Sequence, residues 1–376
     1  MRIFHLLGIS LLCGTIIGVG VFSLPYAFLK FGPLVSIFYL FLVFILVLFS
    51  HLFFGEIILR TPQKVRIPGY AEIYLGKKAK KFLLFLNFLN CPLLFSCYLI
   101  FGANFLSFLF GKSYFISLII LWFFLNGILI LGFRPIAYFE LFMLLFFGVL
   151  LISFIFISLP KFNSSNLWGF HLENIFFPYG VFLFSLLGTA GIPLVVESLK
   201  DEKKEIKKVI FWGTFLPFLF YIIFSLIVIG VCGKETSEES LFSLAQKIGK
   251  KGVLLGCLFG ILSSTTSYVA IGRYFEELLV FDVKLKKKYA LFLVIFLSLA
   301  VFLFNKKSFI FLISLIGGIF SSIENIFLVF IFKKARKKGK RHPEFEIKNP
   351  SFLPYVLLFS FLLGLLFEIK NLLAKI

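Results

Sequence analysis

Residues 14–27 read GTIIGVGVFSLPYA. They lie a dozen residues into the chain, within an apolar run long enough to begin a first membrane span. A glycine in a helix interior costs about 1 kcal/mol relative to alanine, and a proline about 3. Gly14, Gly18 and Gly20, followed by Pro25, therefore predict a span whose backbone stops being helical part-way across. Such backbone is tolerated at membrane depth only where it is buried in protein or lines a wet cavity. A break presents N–H groups at the start of one half-helix, which suit a carboxylate. It presents carbonyls at the end of the other, which suit a cation or an ammonium group.

A second stretch of the same kind, SLLGTAGIP, occupies residues 185–193. Apolar segments of the length needed to cross a membrane run at about 4–29, 33–59, 82–109, 114–133, 138–159, 176–197, 209–231, 253–274, 289–304, 308–332 and 352–369. Spans 1–5 cover 4–159 and spans 6–10 cover 176–332, two halves of nearly equal length, each opening with a broken helix. Five spans per half is an odd number, so the second half enters from the opposite face. That is the inverted-repeat signature of secondary transporters. Small residues also serve simply to pack membrane helices, but two breaks at matching positions of matched halves favour a binding site. The expected fold is a single all-α polytopic membrane domain over 1–376, with 352–369 as an extra helix.

Composition agrees. Of 376 residues 60% are hydrophobic and 15% charged, which excludes an ordinary soluble domain. The opening MRIFHLLGISLLCG lacks a clear cleavage site and reads as a retained first span. Cys13, Cys91, Cys97, Cys232 and Cys257 form no CxxC pair and read as small buried hydrophobes. The net charge of +20 resides largely in short loops. With the N-terminus inside, 27 of the 38 Lys and Arg fall on the inner side. The positive-inside rule thus places the N-terminus in the cytoplasm and the C-terminus outside, in the cell membrane. The runs KKAKK (77–81) and KKARKKGKR (333–341) read as contacts with anionic lipid rather than with nucleic acid. No phosphate loop, HExxH or GxSxG is present, so neither ATP-driven transport nor hydrolytic chemistry has a motif, and no cofactor is expected.

Three stretches resemble the amino acid/auxin permease family of the amino acid–polyamine–organocation superfamily: GTIIGVGVFSLPYAFLKFG (14–32), GYAEIYLGKKAKKF (69–82) and PYGVFLFSLLGTAGIPLVVESLKDEKK (178–204). The resemblance implies a LeuT-like five-plus-five inverted-repeat fold with helices 1 and 6 broken and eleven transmembrane helices, moving amino acids by alternating access. Carried over by position, it implies that Ile17, Gly18, Val19 and Gly20 present backbone to the substrate carboxylate. Ser185, Gly188, Thr189 and Gly191 would face the amino group and side chain, and Tyr98 in span 3 is a further candidate for the pocket wall. No acid lies in either break, so nothing marks a cationic substrate. The acidic first-helix and Met-Pro-His motifs of the metal-ion branch are absent.

Two coupling schemes are open. Ser263, Thr266 and Ser267 in span 8 share one helix face. In sodium-using relatives hydroxyls at this place complete a site with first-helix carbonyls, here Gly14 and Ile17. The alternative for these hydroxyls is bonding back to their own helix. Glu324, deep in span 10, is instead a proton candidate, since a carboxyl at that depth is costly. Proton-using superfamily members often place a span 5 lysine where sodium would sit. Span 5 here holds no lysine, and its one acid, Glu140, reads as lying near the cytoplasmic end. Sodium is the fuller site on sequence. Glu56, Glu197 and Glu368, at span ends, are expected to reach water, His51 to pack, and Asn87, Asn90, Asn104 and Asn126 to bond between helices. The expected function is transport of neutral amino acids driven by Na⁺ or H⁺. The alternative is a sensor that binds an amino acid in the same pocket without moving it.

Overall fold

The computed structural model describes residues 3–131, 133–301, 309–348 and 350–373. The first span is broken where the sequence places the break. Helix α1 (Ile3–Ile16) ends, a 3-10 turn covers Val19–Phe22, and α2 (Leu24–Phe31) resumes the crossing. The sixth span repeats the pattern, with α8 (Phe177–Leu186), a turn at Thr189–Gly191 and α9 (Ile192–Ser198). Pro25 and Pro193 each sit in the first turn of the resumed half-helix. A missing N–H costs nothing there, because the first-turn amides have no helical partner anyway.

Between the breaks run α3 (Pro33–Arg60), the short α4 (Ile67–Leu75), α5 (Lys77–Phe110), α6 (Tyr114–Ile130) and α7 (Phe133–Ser158). The second half continues with α10 (Ile206–Cys232), the short α11 (Leu241–Ile248), α12 (Lys250–Phe281) and α13 (Lys287–Ser298). It closes on a tenth span made of α14 (Phe309–Ser314), a π-helical stretch at Leu315–Ser321 and α15 (Ser322–Lys338), before α16 (Leu353–Leu373). Among the described residues eight helices are long and apolar enough to cross a membrane, with shorter apolar helices at Phe4–Ile16 and Tyr114–Ile130. The end of the expected ninth span and the start of the tenth, at 302–308, lie outside the described residues.

The π-helical stretch packs on α8. Gly317 packs directly on the Gly180 carbonyl and on Phe184 of α8, so any side chain there would collide. Widened turns of this kind recur at functional sites. The four half-helices lie innermost: nearly all of 7–28 and 178–186 is buried. On α7, by contrast, Phe142, Leu145, Val149, Ile152 and Phe156 are exposed and face the lipid position.

Two expectations about span ends fail. Glu56 is fully buried, where it pairs with Arg60 at 2.8 Å and accepts the Ile347 N–H at 2.9 Å. Glu368 is also buried, packed against Gly180 and Gly318. The segment after α15 folds back over the end of α3, and α16 packs on the tenth span, so neither acid reaches water. Glu197 stays half-exposed and pairs with Lys64 at 2.8 Å.

Candidate functional site

The two breaks cross in contact. A Cβ on Gly20 would stand 2.5 Å from the Ser185 hydroxyl, one on Gly188 2.5 Å from Ile16, and one on Gly191 2.9 Å from the Thr15 hydroxyl. The glycines are therefore required by close approach of the half-helices to each other. Gly18 faces α12 instead, where a Cβ would meet Ser267 Oγ at 2.5 Å and Tyr98 at 3.3 Å.

The helix ends at the crossing are satisfied by two side chains that sequence reading did not single out as site residues. Tyr221 of α10 aims its hydroxyl between the Ile16 carbonyl at 2.6 Å and the Ser185 carbonyl at 3.0 Å, tying the C-terminal ends of α1 and α8 together. His51 of α3 accepts the Gly188 N–H on Nε2 at 3.0 Å, which leaves Nδ1–H to donate to Thr214 Oγ1 at 3.0 Å. That network assigns the neutral tautomer, and His51 is fully buried. The sequence signal for His51 was its depth in span 2. Tyr221 is one of 13 tyrosines and carried none.

Beside the crossing lies a narrow cavity of about 90 Å³. Tyr98, Phe184, Phe275, Leu94, Leu187 and Ile271 supply its apolar walls, and Thr15, Asn87, Thr189, Ser321 and Glu324 its polar ones. Tyr98 stands level with Gly18, while Asn87 lies earlier on α5, Tyr274 later on α12 and Glu324 past the π-helical stretch. The cavity thus runs from the breaks toward the face that carries residues 60–81 and 333–348. Away from that face the path is closed by aromatics. Phe22, in the first turn of the break, stacks on Phe101 at 4.8 Å and meets Phe259 at 5.0 Å, and Phe101 stacks on Phe309 at 4.6 Å.

On the lysine-rich side the closure is ionic. Arg66, 1% exposed, pairs with Glu277 of α12 and with Glu197 of the sixth span at 3.3 Å. Asp282 accepts the Arg66 N–H at 2.9 Å and the Gly69 N–H at 2.8 Å, fixing the start of α4. Burial raises the Asp282 pKa above the ordinary carboxylate value, against the lowering effect of those two donors.

Of the residues predicted to bind substrate, Tyr98 and Thr189 line this cavity. Ile17, Gly18, Val19, Gly20, Ser185, Gly188 and Gly191 form the crossing behind it. Glu324 is in the wall, where the Asn87 amide donates to it at 3.4 Å. Among the span 8 hydroxyls, Ser267 reaches the Gly14 carbonyl at 3.3 Å. Ser263 and Thr266 donate back to their own helix, to Gly260 and Ser263 carbonyls, each at 3.1 Å.

Among solved structures, the chain is similar to that of MhsT in complex with L-phenylalanine. The TM-score is 0.70 with 14% identity, over 98% of each chain, so the likeness establishes the LeuT-like fold with its broken first and sixth helices. No curated protein matches the sequence. The resemblance to the amino acid/auxin permease family does not hold as a family assignment. It rested on three short stretches, two of them the broken-helix segments that the fold itself demands, whereas a different family matches residues 3–368. The chain belongs to the tryptophan/tyrosine permease family.

Proposed function

We propose that this protein is a secondary active transporter that moves aromatic and other neutral amino acids across the cell membrane by alternating access, in symport with Na⁺ or H⁺. The observation that carries the reading is the contact crossing of two broken helices beside a cavity with aromatic walls at Tyr98, Phe184 and Phe275. Backbone groups at the breaks other than those held by Tyr221 and His51 suit the zwitterionic end of an amino acid, and the aromatic walls suit a flat apolar side chain. The family, and a similar structure solved with L-phenylalanine, favour the same cargo class. At about 90 Å³ the cavity is below the usual range of about 300–1,000 Å³ for small-molecule sites, so the walls must part to admit an indole. The lysine-rich face is cytoplasmic on this reading and rests against anionic lipid.

The test is counterflow in proteoliposomes preloaded with unlabelled tryptophan. Labelled tryptophan, tyrosine and phenylalanine should accumulate transiently, and labelled lysine and glutamate should not. Saturable tryptophan binding with no flux would instead identify an amino acid sensor.

A further inference from the structure

The coupling candidates legible in the sequence were the span 8 hydroxyls and Glu324, and the structure adds a third group. Glu140 lies on α7 at the head of its buried stripe, followed by Met143, Phe147, Leu150 and Phe154. It is 1% exposed, and neither carboxyl oxygen has a hydrogen-bond partner among the described residues. One of those oxygens occupies the space that a Cβ on residue 14 would need, so Gly14 is a glycine because Glu140 stands against it. Gly14 is two residues before the end of α1, in the half-helix that hinges at the first break, and its carbonyl already receives Ser267.

An ionised carboxylate with no donor facing it does not persist in such a place. Among the described residues the neighbouring elements offer no counter-charge. From α1 the facing titratable group is Cys13, whose thiol is directed to the Gly213 carbonyl at 3.5 Å, while His5 is paired with Glu202 at the lysine-rich face. From α12 the described charged side chains, Arg273, Glu276 and Glu277, pair among themselves and with Arg66, and those of Lys250 and Lys251 lie outside the described residues. From α10 the hydroxyl of Tyr221 is held by the two helix ends, and Lys207 and Lys208 lie at the helix start on the lysine-rich face. At the far end of α7 stands Lys161. The side chain of Arg134, six residues before Glu140, lies outside the described residues.

We propose that Glu140 is the carboxyl that carries the coupling proton, with α1 as its lid. With α1 packed, Glu140 is a neutral acid sealed against Gly14. When α1 swings from the first break toward the lysine-rich side, water reaches the carboxyl, its O–H bond breaks and the proton passes to that water. The empty carrier returns with the carboxylate ionised, and Glu140 takes its next proton from water admitted from the opposite face, so each cycle carries one proton across. Substrate release and proton release are thereby tied to one movement. This rests on the transporter reading above.

The experiment uses full-length protein in proteoliposomes and reads counterflow and pH-driven accumulation of labelled tryptophan separately. A gradient of one pH unit should concentrate tryptophan up to about tenfold in the wild type for one proton per cycle. Glu140→Gln should keep counterflow at equal pH while its gradient-driven accumulation falls to the equilibrium ratio. Undiminished accumulation in Glu140→Gln would overturn the proposal. So would accumulation that follows a sodium gradient at equal pH, or loss of coupling in Glu324→Gln alone. Should Glu140→Gln fail to insert, Gly14→Ala displaces the same carboxyl, and its counterflow rate should change its pH dependence. An unchanged profile counts against the role. Counterflow missing from the wild type itself would remove the transporter reading and this proposal with it, an outcome distinct from failure of the variant.

Discussion

Tyr221→Phe removes one oxygen from the point where the two broken helices are joined, and its effect can be worked out from the contacts. The lost hydroxyl lies 2.6 Å from the Ile16 carbonyl and 3.0 Å from that of Ser185. Ile16 keeps a second donor, the Gly18 N–H at 2.7 Å, so its carbonyl is not orphaned. Ser185 lies in the last turn of α8, where carbonyls lack the next turn's amides. Interhelical hydrogen bonds within membranes average about 0.6 kcal/mol and reach about 1.7, whereas a buried orphaned group costs about 1–3. Ring packing is kept and one carbonyl is weakened, so a cost of about 1–2 kcal/mol is expected. If substrate requires the two breaks in register, tryptophan Kd in detergent should rise by about 5–30-fold. Tyr268→Phe is the matched control: its hydroxyl donates to Asn126 at 3.1 Å, away from both breaks. Equal Kd in Tyr221→Phe and wild type, or an equal loss in Tyr268→Phe, would refute the view that Tyr221 aligns the site.

Gly18→Ala places a Cβ 2.5 Å from Ser267 Oγ, so it should weaken tryptophan binding several-fold, and Gly18→Leu should abolish it while the protein stays monodisperse; normal binding by the leucine variant would make Gly18 a packing residue only. Cysteines at Lys78 and Asn163, both exposed, should label from opposite sides of the membrane, and the five native cysteines, all buried, give a low background; labelling of both from one side would break the inverted-repeat reading. Arg66→Ala removes the partner of Glu277 and Glu197, and breaking a buried pair costs about 3–5 kcal/mol. In that background a cysteine at Asn90, in the cavity wall, should react at least about tenfold faster with a membrane-impermeant thiol reagent from the lysine-rich side, and no change would show that Arg66 does not close the cavity.

The breaks could be read in the chain because they violate a strong local rule. Glycine and proline are costly in a helix, so GTIIGVG and GTAGIP announce themselves, and their matched placement in two five-span halves gives the topology. What the breaks contact could not be read that way. Tyr221 lies 205 residues from Ile16 and His51 137 from Gly188, each in a span of ordinary composition. Glu140 shows why depth along one helix misleads. Counting from the end of span 5 placed it near the interface, yet α1 covers it, and burial follows from the neighbour rather than from the helix. The same holds for Glu56 and Glu368, sealed by the segment after α15 and by α16. The family was misread for a related reason: two of the three stretches compared are the broken helices, which a shared fold constrains and which therefore distinguish families poorly.

The two closures of the cavity differ in kind, and that difference bears on the alternating access proposed above. Away from the lysine-rich face the seal is aromatic, with Phe22 itself part of the first break. Its rings gain by dispersion from close packing and lose it abruptly when separated, so this side opens only if the break moves as a unit. On the lysine-rich face the seal is a set of ion pairs around Arg66, Glu277 and Glu197, flanked by Lys64, about half exposed. Separated ions regain hydration, which returns much of what the pairs contributed. On the proposed cycle the ionic side would therefore open at lower cost, with α1, which ends at the first break and begins among the charges, as the moving element. On the transporter reading proposed above, the carrier would then exchange its contents first with the lysine-rich side.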